Sequence, residues 1–222
     1  MAPKARADAT PRIDRRARRR QETIDEILSI AVDVMEENGV NGLSLSEVAR
    51  RLGVQPPSIY KYFDSLHAVY DAIFERGATE HVAVMRTAMD AARPGLDALA
   101  AGLDAAGRWS LANPAIAQLL FWRPVPNFEP SAQAFEPSKE MVAIQRKALA
   151  DAVAANELGP GADSEDALFT VAIMINGTLG QSMANDPDQP WGKGRFSPLF
   201  PKLLSALPLL YPPRRRGARS AR

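Results

Sequence analysis

Apolar residues recur at helical spacing along most of this chain, and the repeats are interrupted at glycine and proline. Ile24, Ile27, Leu28, Ala31, Val34 and Met35 form one stripe of a helix running from Arg20 or Gln21 to Asn38, with Gly39 as its C-terminal stop. Leu45, Val48, Ala49 and Leu52 form a second, shorter stripe with Arg50 and Arg51 near its end. Ser44 and Glu47 have the spacing of a capping box, in which each side chain satisfies an early backbone N–H of that helix. Gly53 ends the helix, because glycine enters the left-handed region without a Cβ clash and allows a sharp reversal. Pro56 or Pro57 suits a first helical turn, where a missing N–H costs nothing. A third helix, Pro57 to Phe63, therefore starts abruptly, with Ile59 and Phe63 inward and Pro57, Ser58, Lys61 and Tyr62 outward.

Asp64 or Ser65 caps a fourth helix whose stripe includes Val69, Ile73 and Phe74, continuing to about Met89. This helix begins beside the third and ends in the next domain, so it is the natural mechanical link. Arg93-Pro94-Gly95 breaks the pattern. Helices from Leu96 to Ala112 and Pro114 to Trp122 come next, then a long segment, 123–137, holding Pro124, Pro126, Pro130, Pro137, Phe128 and Phe135. Its aromatics argue for an ordered loop. A helix from Ser138 to Asn156 leads through Gly159-Pro160-Gly161 to Asp163 or Ser164 as a cap. The helix from Ser164 to Ala184 is the most apolar in the chain, so burial on more than one side is expected. A polar loop, Asp186 to Gly194, precedes a last helix from Ser197 to Leu210.

These elements predict an all-α fold. Residues 1–19 read as a disordered basic arm, 20–66 as a three-helix domain, 67–211 as a larger helical domain and 212–222 as a disordered basic tail. A length of 222 residues allows such a division.

The absence of cysteine excludes disulfides, thiolate metal sites and cysteine nucleophiles. His67 and His81 sit in no metal-binding or catalytic motif, and the acidic residues are scattered over caps and solvent faces. No enzyme activity, cofactor or metal is expected. Apolar stretches such as Ala167 to Ile175 fall short of the about 20 residues a bilayer span needs, and the basic N-terminus has no apolar secretory core. A cytoplasmic, soluble protein without a membrane partner is expected. The net charge of +1 hides a basic start (Lys4, Arg6, Arg12, Arg15, Arg16, Arg18, Arg19, Arg20) and a basic end (Arg214, Arg215, Arg216, Arg219, Arg222). The first leads into the helical hairpin and suits phosphate contact through counterion release. The second suits a solvated tail.

Helix, glycine turn and helix at this spacing make the helix-turn-helix signature, with an ordinary helical hairpin as the alternative. From about Thr23 to Ala72 the chain resembles the DNA-binding domain of the TetR family of bacterial transcriptional regulators. The resemblance is carried by Glu37-Asn38-Gly39, Leu43-Ser44-Leu45-Ser46-Glu47-Val48-Ala49, Leu52-Gly53-Val54 and Ser58-Ile59-Tyr60-Lys61-Tyr62-Phe63-Asp64-Ser65. Position assigns Ser44, Ser46, Tyr60 and Tyr62 to phosphates, and Gln55, Pro57, Ser58 and Lys61 to base edges. The resemblance supports the backbone role of Tyr60, whereas simple packing suits Tyr70. The family's phosphate-binding Lys at the start of the fourth helix is replaced by Leu66, with His67 next to it as a substitute.

Trp109-Ser110-Leu111-Ala112-Asn113-Pro114, Leu119-Leu120-Phe121 and Asn176-Gly177 resemble a C-terminal domain of some TetR regulators named for Trp, His and Gly, with Asn176 where that pattern has His. The resemblance implies a small-molecule pocket. Trp109, Phe121, Trp122, Phe128, Phe135, Met141 and Met174 are its candidate apolar lining and Arg123, Gln145 and Asn176 its polar groups, although such aromatics also serve as core. One recognition helix reads few base pairs, so a homodimer on a palindromic double-stranded operator is expected. Ile173, Ile175, Gly177, Leu179, Gly180, Leu203, Leu204 and Leu207 are the candidate dimer face, with intramolecular core as the alternative. The function these readings imply is a DNA-binding repressor released by a small apolar effector. The alternative is an effector-independent or architectural DNA-binding protein with a filled second domain.

Overall fold

The computed structural model describes residues 10–214, with the side chains of 15–214. The expectations for the arm and tail at Lys4, Arg6, Arg215, Arg216, Arg219 and Arg222 lie outside the described residues. Those described are helical with no strand among them, and the chain is all-α. The helices are α1 (Thr10–Asn38), α2 (Leu45–Leu52), α3 (Leu66–Asp90), α4 (Leu96–Ala112), α5 (Pro114–Phe121), α6 (Glu136–Ala154), α7 (Glu165–Asn185), α8 (Phe200–Leu204) and α9 (Leu207–Leu210). Short 3-10 helices occupy Val40–Gly42, Pro56–Lys61 and Ser197–Leu199. Two compact units divide between Ile73 and Phe74, inside α3, whereas the sequence pattern predicts a boundary at 66/67.

In the first unit α1 packs on α2, and α2 on the 3-10 helix. Ile27, Ala31, Val34, Met35, Val48, Ala49 and Ile59 are buried among these elements. Gly53 has φ 73°, and the turn closes as the Val54 N–H donates to the Ala49 carbonyl at 2.9 Å. At the other side of the unit the Tyr70 hydroxyl donates to the Val40 carbonyl at 2.6 Å. Ser65 caps α3, its hydroxyl accepting from the Ala68 N–H at 3.1 Å.

Three expectations in this unit are corrected. Helix α1 begins at Thr10, where a disordered arm to Arg19 was expected; arginine favours helices, and Arg18 pairs with Glu22 at 3.5 Å one turn on. The capping box is not formed. Ser44 stands at the cap position in an extended conformation without a side-chain cap bond, and the Glu47 carboxylate is drawn to Arg50 and Arg51, each at 2.7 Å, instead of reaching back to the cap. The recognition element is a 3-10 helix ending at Lys61 rather than a helix to Phe63. With prolines at its first two positions, its first turn is closed by Ser58 N–H donating to the Gln55 carbonyl at 2.8 Å.

The second unit is built on α4, α6 and α7, with Leu99, Leu103, Leu149, Val171, Leu179 and Phe200 in its core. Trp191 comes from the polar loop after α7. Its ring lies against Gly107, where an added Cβ would stand 2.6 Å from it, and its Nε1–H donates to Asp104 at 2.7 Å. Ser164 caps α7, accepting from the Ala167 N–H at 3.3 Å. Segment 123–135 connects α5 to α6, with Val125, Phe128 and Ala134 buried, and α6 begins at Glu136.

Three further corrections concern the end of the chain. Helix α7 is long and apolar enough by length and composition to cross a membrane, although no apolar stretch of that length was expected. Leu168, Val171, Ile175 and Leu179 bury one of its faces in the core, while Phe169 and Ile173 face outward at 57% and 73% exposure. It is a core helix with one open face, not one buried on several sides. The single last helix is broken into three pieces, since Pro198, Pro201 and Pro208 each lack the N–H that would continue the preceding turn. Ile175, Leu179, Leu204 and Leu207 are core residues of the subunit itself, and so are not the dimer face they were expected to form.

Candidate functional site

The surface around Pro56–Lys61 is held from beneath by Ile59, fully buried, and by Phe63. With Ile59 anchored, the neighbouring side chains have no room inward. Gln55, Pro57, Tyr60 and Lys61 are exposed, and Ser58 and Tyr62 are half-buried. Ser44 and Ser46 are exposed at the start of α2, and His67 in the first turn of α3. Exposed hydroxyl, amide, phenol and ammonium groups of this kind suit phosphates and base edges.

Sequence reasoning missed how α1 enlarges that surface. Arg16, Arg19, Arg20 and Thr23 of α1, together with Lys61 and Tyr62, line a broad cleft of about 910 Å³. The Arg20 guanidinium donates to the Lys61 carbonyl at 3.2 Å and lies 5.1 Å from the centre of the Tyr62 ring. The signal was present in the spacing. Residues 16, 19, 20 and 23 follow the i, i+3, i+4, i+7 pattern of one helix face.

Around α2 two carboxylates are paired with arginines. Hydrogen bonds from Arg50 and then Arg51 hold the Glu47 carboxyl down to about 2. Glu37 is also lowered, mainly by its hydrogen bond with Arg51 at 2.5 Å. The cleft itself is lined by Arg16, Arg19, Arg20 and Lys61 and by no carboxylate, so it favours an anion.

Residues 27–73, which hold α2, the Gly53 turn and the recognition element, match the model of the bacterial regulatory proteins of the tetR family. Over these residues the chain carries a TetR-family DNA-binding domain. This TetR-family chain is a transcriptional regulator with a helix-turn-helix DNA-binding domain. It is 33% identical to the HTH-type transcriptional regulator YobS of Bacillus subtilis over 54 residues, a match covering 24% of this chain and 28% of YobS. To the class A tetracycline repressor protein from transposon 1721 of Escherichia coli it is 27% identical over 184 residues, 82% of this chain and 77% of that one. Its fold resembles the transcriptional regulator FadR from Bacillus subtilis, solved with stearoyl-CoA, at a TM-score of 0.68 and 20% identity over 82% of this chain and 96% of that one.

The second unit of the regulator holds a cavity of about 70 Å³. Phe121, Met141, Gln145 and Asn176, four of the expected pocket residues, line it. The other expected residues do not. Trp122, Arg123 and Phe135 are exposed, Phe128 is buried in the α5–α6 connection, Met174 packs against the core, and Trp109 stands outside the lining. Phe135 instead stacks on Phe74, with ring centres 6.2 Å apart.

His81 also lines the cavity, and sequence reasoning passed it over. Its imidazole meets the rings of Trp109 and Phe121 edge-on, each at 5.2 Å. Burial pushes its pKa down to about 4, so the ring is neutral near pH 7. The available signal was periodicity, since Phe74, His81 and Met85 recur on the inner stripe of α3. Asn176 donates its side-chain N–H to the Ala172 carbonyl at 3.0 Å, within its own helix. No cluster of side chains able to hold a metal occurs among the described residues.

Proposed function

We propose that this regulator is a repressor that binds a palindromic operator as a homodimer and is released by a small molecule held in its second unit. The carrying observation is the polar, cationic surface around Pro56–Lys61, flanked by Arg16, Arg19 and Arg20 of α1. Ser44, Ser46, Tyr60, Tyr62 and His67 are assigned to phosphates, and Gln55, Pro57, Ser58 and Lys61 to base edges. Dimerisation is supported by the outward apolar residues Phe169 and Ile173 of α7, with Leu199 and Leu203 from the last segments, beside Gly177 and Gly180. Effector release follows the tetracycline repressor, whose name states its ligand, and FadR, solved with stearoyl-CoA. A protein acting on cellular DNA works in the cytoplasm.

Selection of duplexes from a random pool, followed by anisotropy titration, tests the DNA assignment. A two-fold symmetric site should be enriched. Lys61→Ala should lower discrimination at one position in each half-site by about 1 to 3 kcal/mol, whereas Ser46→Ala should weaken all duplexes alike. Enrichment without symmetry, or unchanged preference in Lys61→Ala, would overturn the assignment.

The cavity of about 70 Å³ favours a second reading, because ligand pockets usually measure about 300 to 1,000 Å³. On that reading the second unit is filled and the protein binds DNA without an effector. An operator complex that no small molecule disturbs would select it.

A further inference from the structure

We propose that the cavity in the second unit receives a compact, uncharged molecule, apolar over most of its surface, whose single hydrogen-bonding group is held by His81 and Gln145. The proposal rests on the effector reading above and names the chemical class of the effector.

His81 and Gln145 are 4% and 7% exposed, yet among the described residues no hydrogen bond reaches either side chain. Their polar atoms are also absent from the fully enclosed, partnerless groups, and both residues line the cavity. Buried polar groups nearly always find a partner, and two unpaired ones converging on one space mark a place for a ligand's polar group. A neutral imidazole presents one donor and one acceptor, and an amide presents both, so the pair accommodates a hydroxyl or a carboxamide. Asn176, whose side-chain amide donates to the Ala172 carbonyl, also lines the space.

The remaining lining excludes charge. Met85, Leu103, Phe121 and Met141 are apolar, and no Lys, Arg, Asp or Glu lines the space. A carboxylate, phosphate or ammonium placed there would be buried without a counterion, which costs far more than burying a neutral polar group.

Size sets the other limit. An apolar cavity of about 150 Å³ admits benzene, and this one is about half as large. Two of its walls are methionine side chains, Met85 and Met141, which are flexible enough to yield to a single ring. One turn beyond Ala106 on α4 and Leu179 on α7 stand Ser110 and Ser182, whose buried hydroxyls have no partner among the described residues.

The test uses full-length protein and four probes matched in size: benzyl alcohol, benzamide, benzoate and benzylammonium. In calorimetric titrations without DNA, at least one neutral probe should bind saturably, and the two ions should bind at least tenfold more weakly. Gln145→Leu and His81→Phe should each weaken the neutral probe at least tenfold. As a control needing no variant, the Gln145 side-chain amide and His81 ring resonances of labelled wild-type protein should shift during the benzamide titration. The proposal is overturned if neither neutral probe saturates, if an ion binds as tightly, or if both resonances stay fixed. Anisotropy on the selected duplex, run in parallel, separates the two readings. Saturable neutral binding with the duplex still held supports the site and removes effector release; intact DNA binding with no probe bound removes the site and leaves the DNA assignment standing.

Discussion

In the unit ending at Ile73, a small core of Ile27, Val34, Val48 and Ile59 turns Tyr60 and Lys61 outward into water, and Arg16, Arg19 and Arg20 of α1 line the cleft beside Lys61. In the unit beginning at Phe74 the notable polar groups, His81, Gln145, Ser110 and Ser182, are inside. The difference bears on selectivity. An outward site attracts through charge and discriminates by fine geometry, so it works on a large, pre-hydrated polyanion. An inward site must strip its ligand of water, so it discriminates by the cost of leaving any group unpaired. One chain thus joins a surface that welcomes charge to an interior that rejects it.

The largest expected effect comes from removing the anchor of the outward site. Ile59→Ala leaves a cavity beneath the recognition element and should lower stability by about 2 to 5 kcal/mol, read by urea denaturation. DNA affinity should fall with it, because the outward residues lose their fixed orientation. Unchanged affinity would show that presentation does not depend on the core, which would break the contrast.

Next comes the inward histidine. Its folded pKa of about 4 lies below the ordinary 6.5, so between these values the unfolded chain binds a proton that the folded chain does not. Stability from this group is therefore complete above about pH 6.5 and falls as pH drops toward 4. The loss over that window is roughly 3 kcal/mol at most. His81→Leu should flatten that part of the stability profile. A profile of the same slope in the variant would place the imidazole in water.

The outward site was legible because it is local. Leu45, Val48, Gly53, Pro56 and Ile59 lie within one short stretch, and their spacing dictates helix, turn and inner face without reference to the rest of the chain. What local spacing missed were competitions: Arg50 and Arg51 took Glu47 away from the cap, and the two prolines tightened the recognition helix. The cavity was only half legible, because its walls come from α3, α4, α5, α6 and α7, and helix stripes do not reveal which stripes meet. Trp122 and Phe135 have the composition of a pocket, yet the turn of the α5–α6 connection leaves them on the surface. The dimer face erred for a related reason, since Ile175 and Leu179 share α7 with Ile173 but occupy its opposite side.

The smallest effect gives the sharpest contrast, because it sets two tyrosines ten residues apart against each other. Tyr70 is 1% exposed, and its hydroxyl donates to the Val40 carbonyl at 2.6 Å. Tyr70→Phe keeps the ring and removes that bond. Among the described residues the Val40 carbonyl then retains only the distant Leu43 N–H at 3.5 Å, so the loss should be about 1 kcal/mol, seen as a lower denaturation midpoint with an unchanged slope. DNA affinity below the transition should stay as it was. Tyr60, at 54% exposure, should behave in the opposite way. Tyr60→Phe removes a hydroxyl that water already satisfies, so stability should move by less than about 0.5 kcal/mol. If the hydroxyl is bonded to a phosphate in the complex, affinity should drop for every duplex alike. Should both variants change stability and neither change affinity, the two tyrosines would share one role as packing, and the outward surface would lose one of its assigned phosphate contacts.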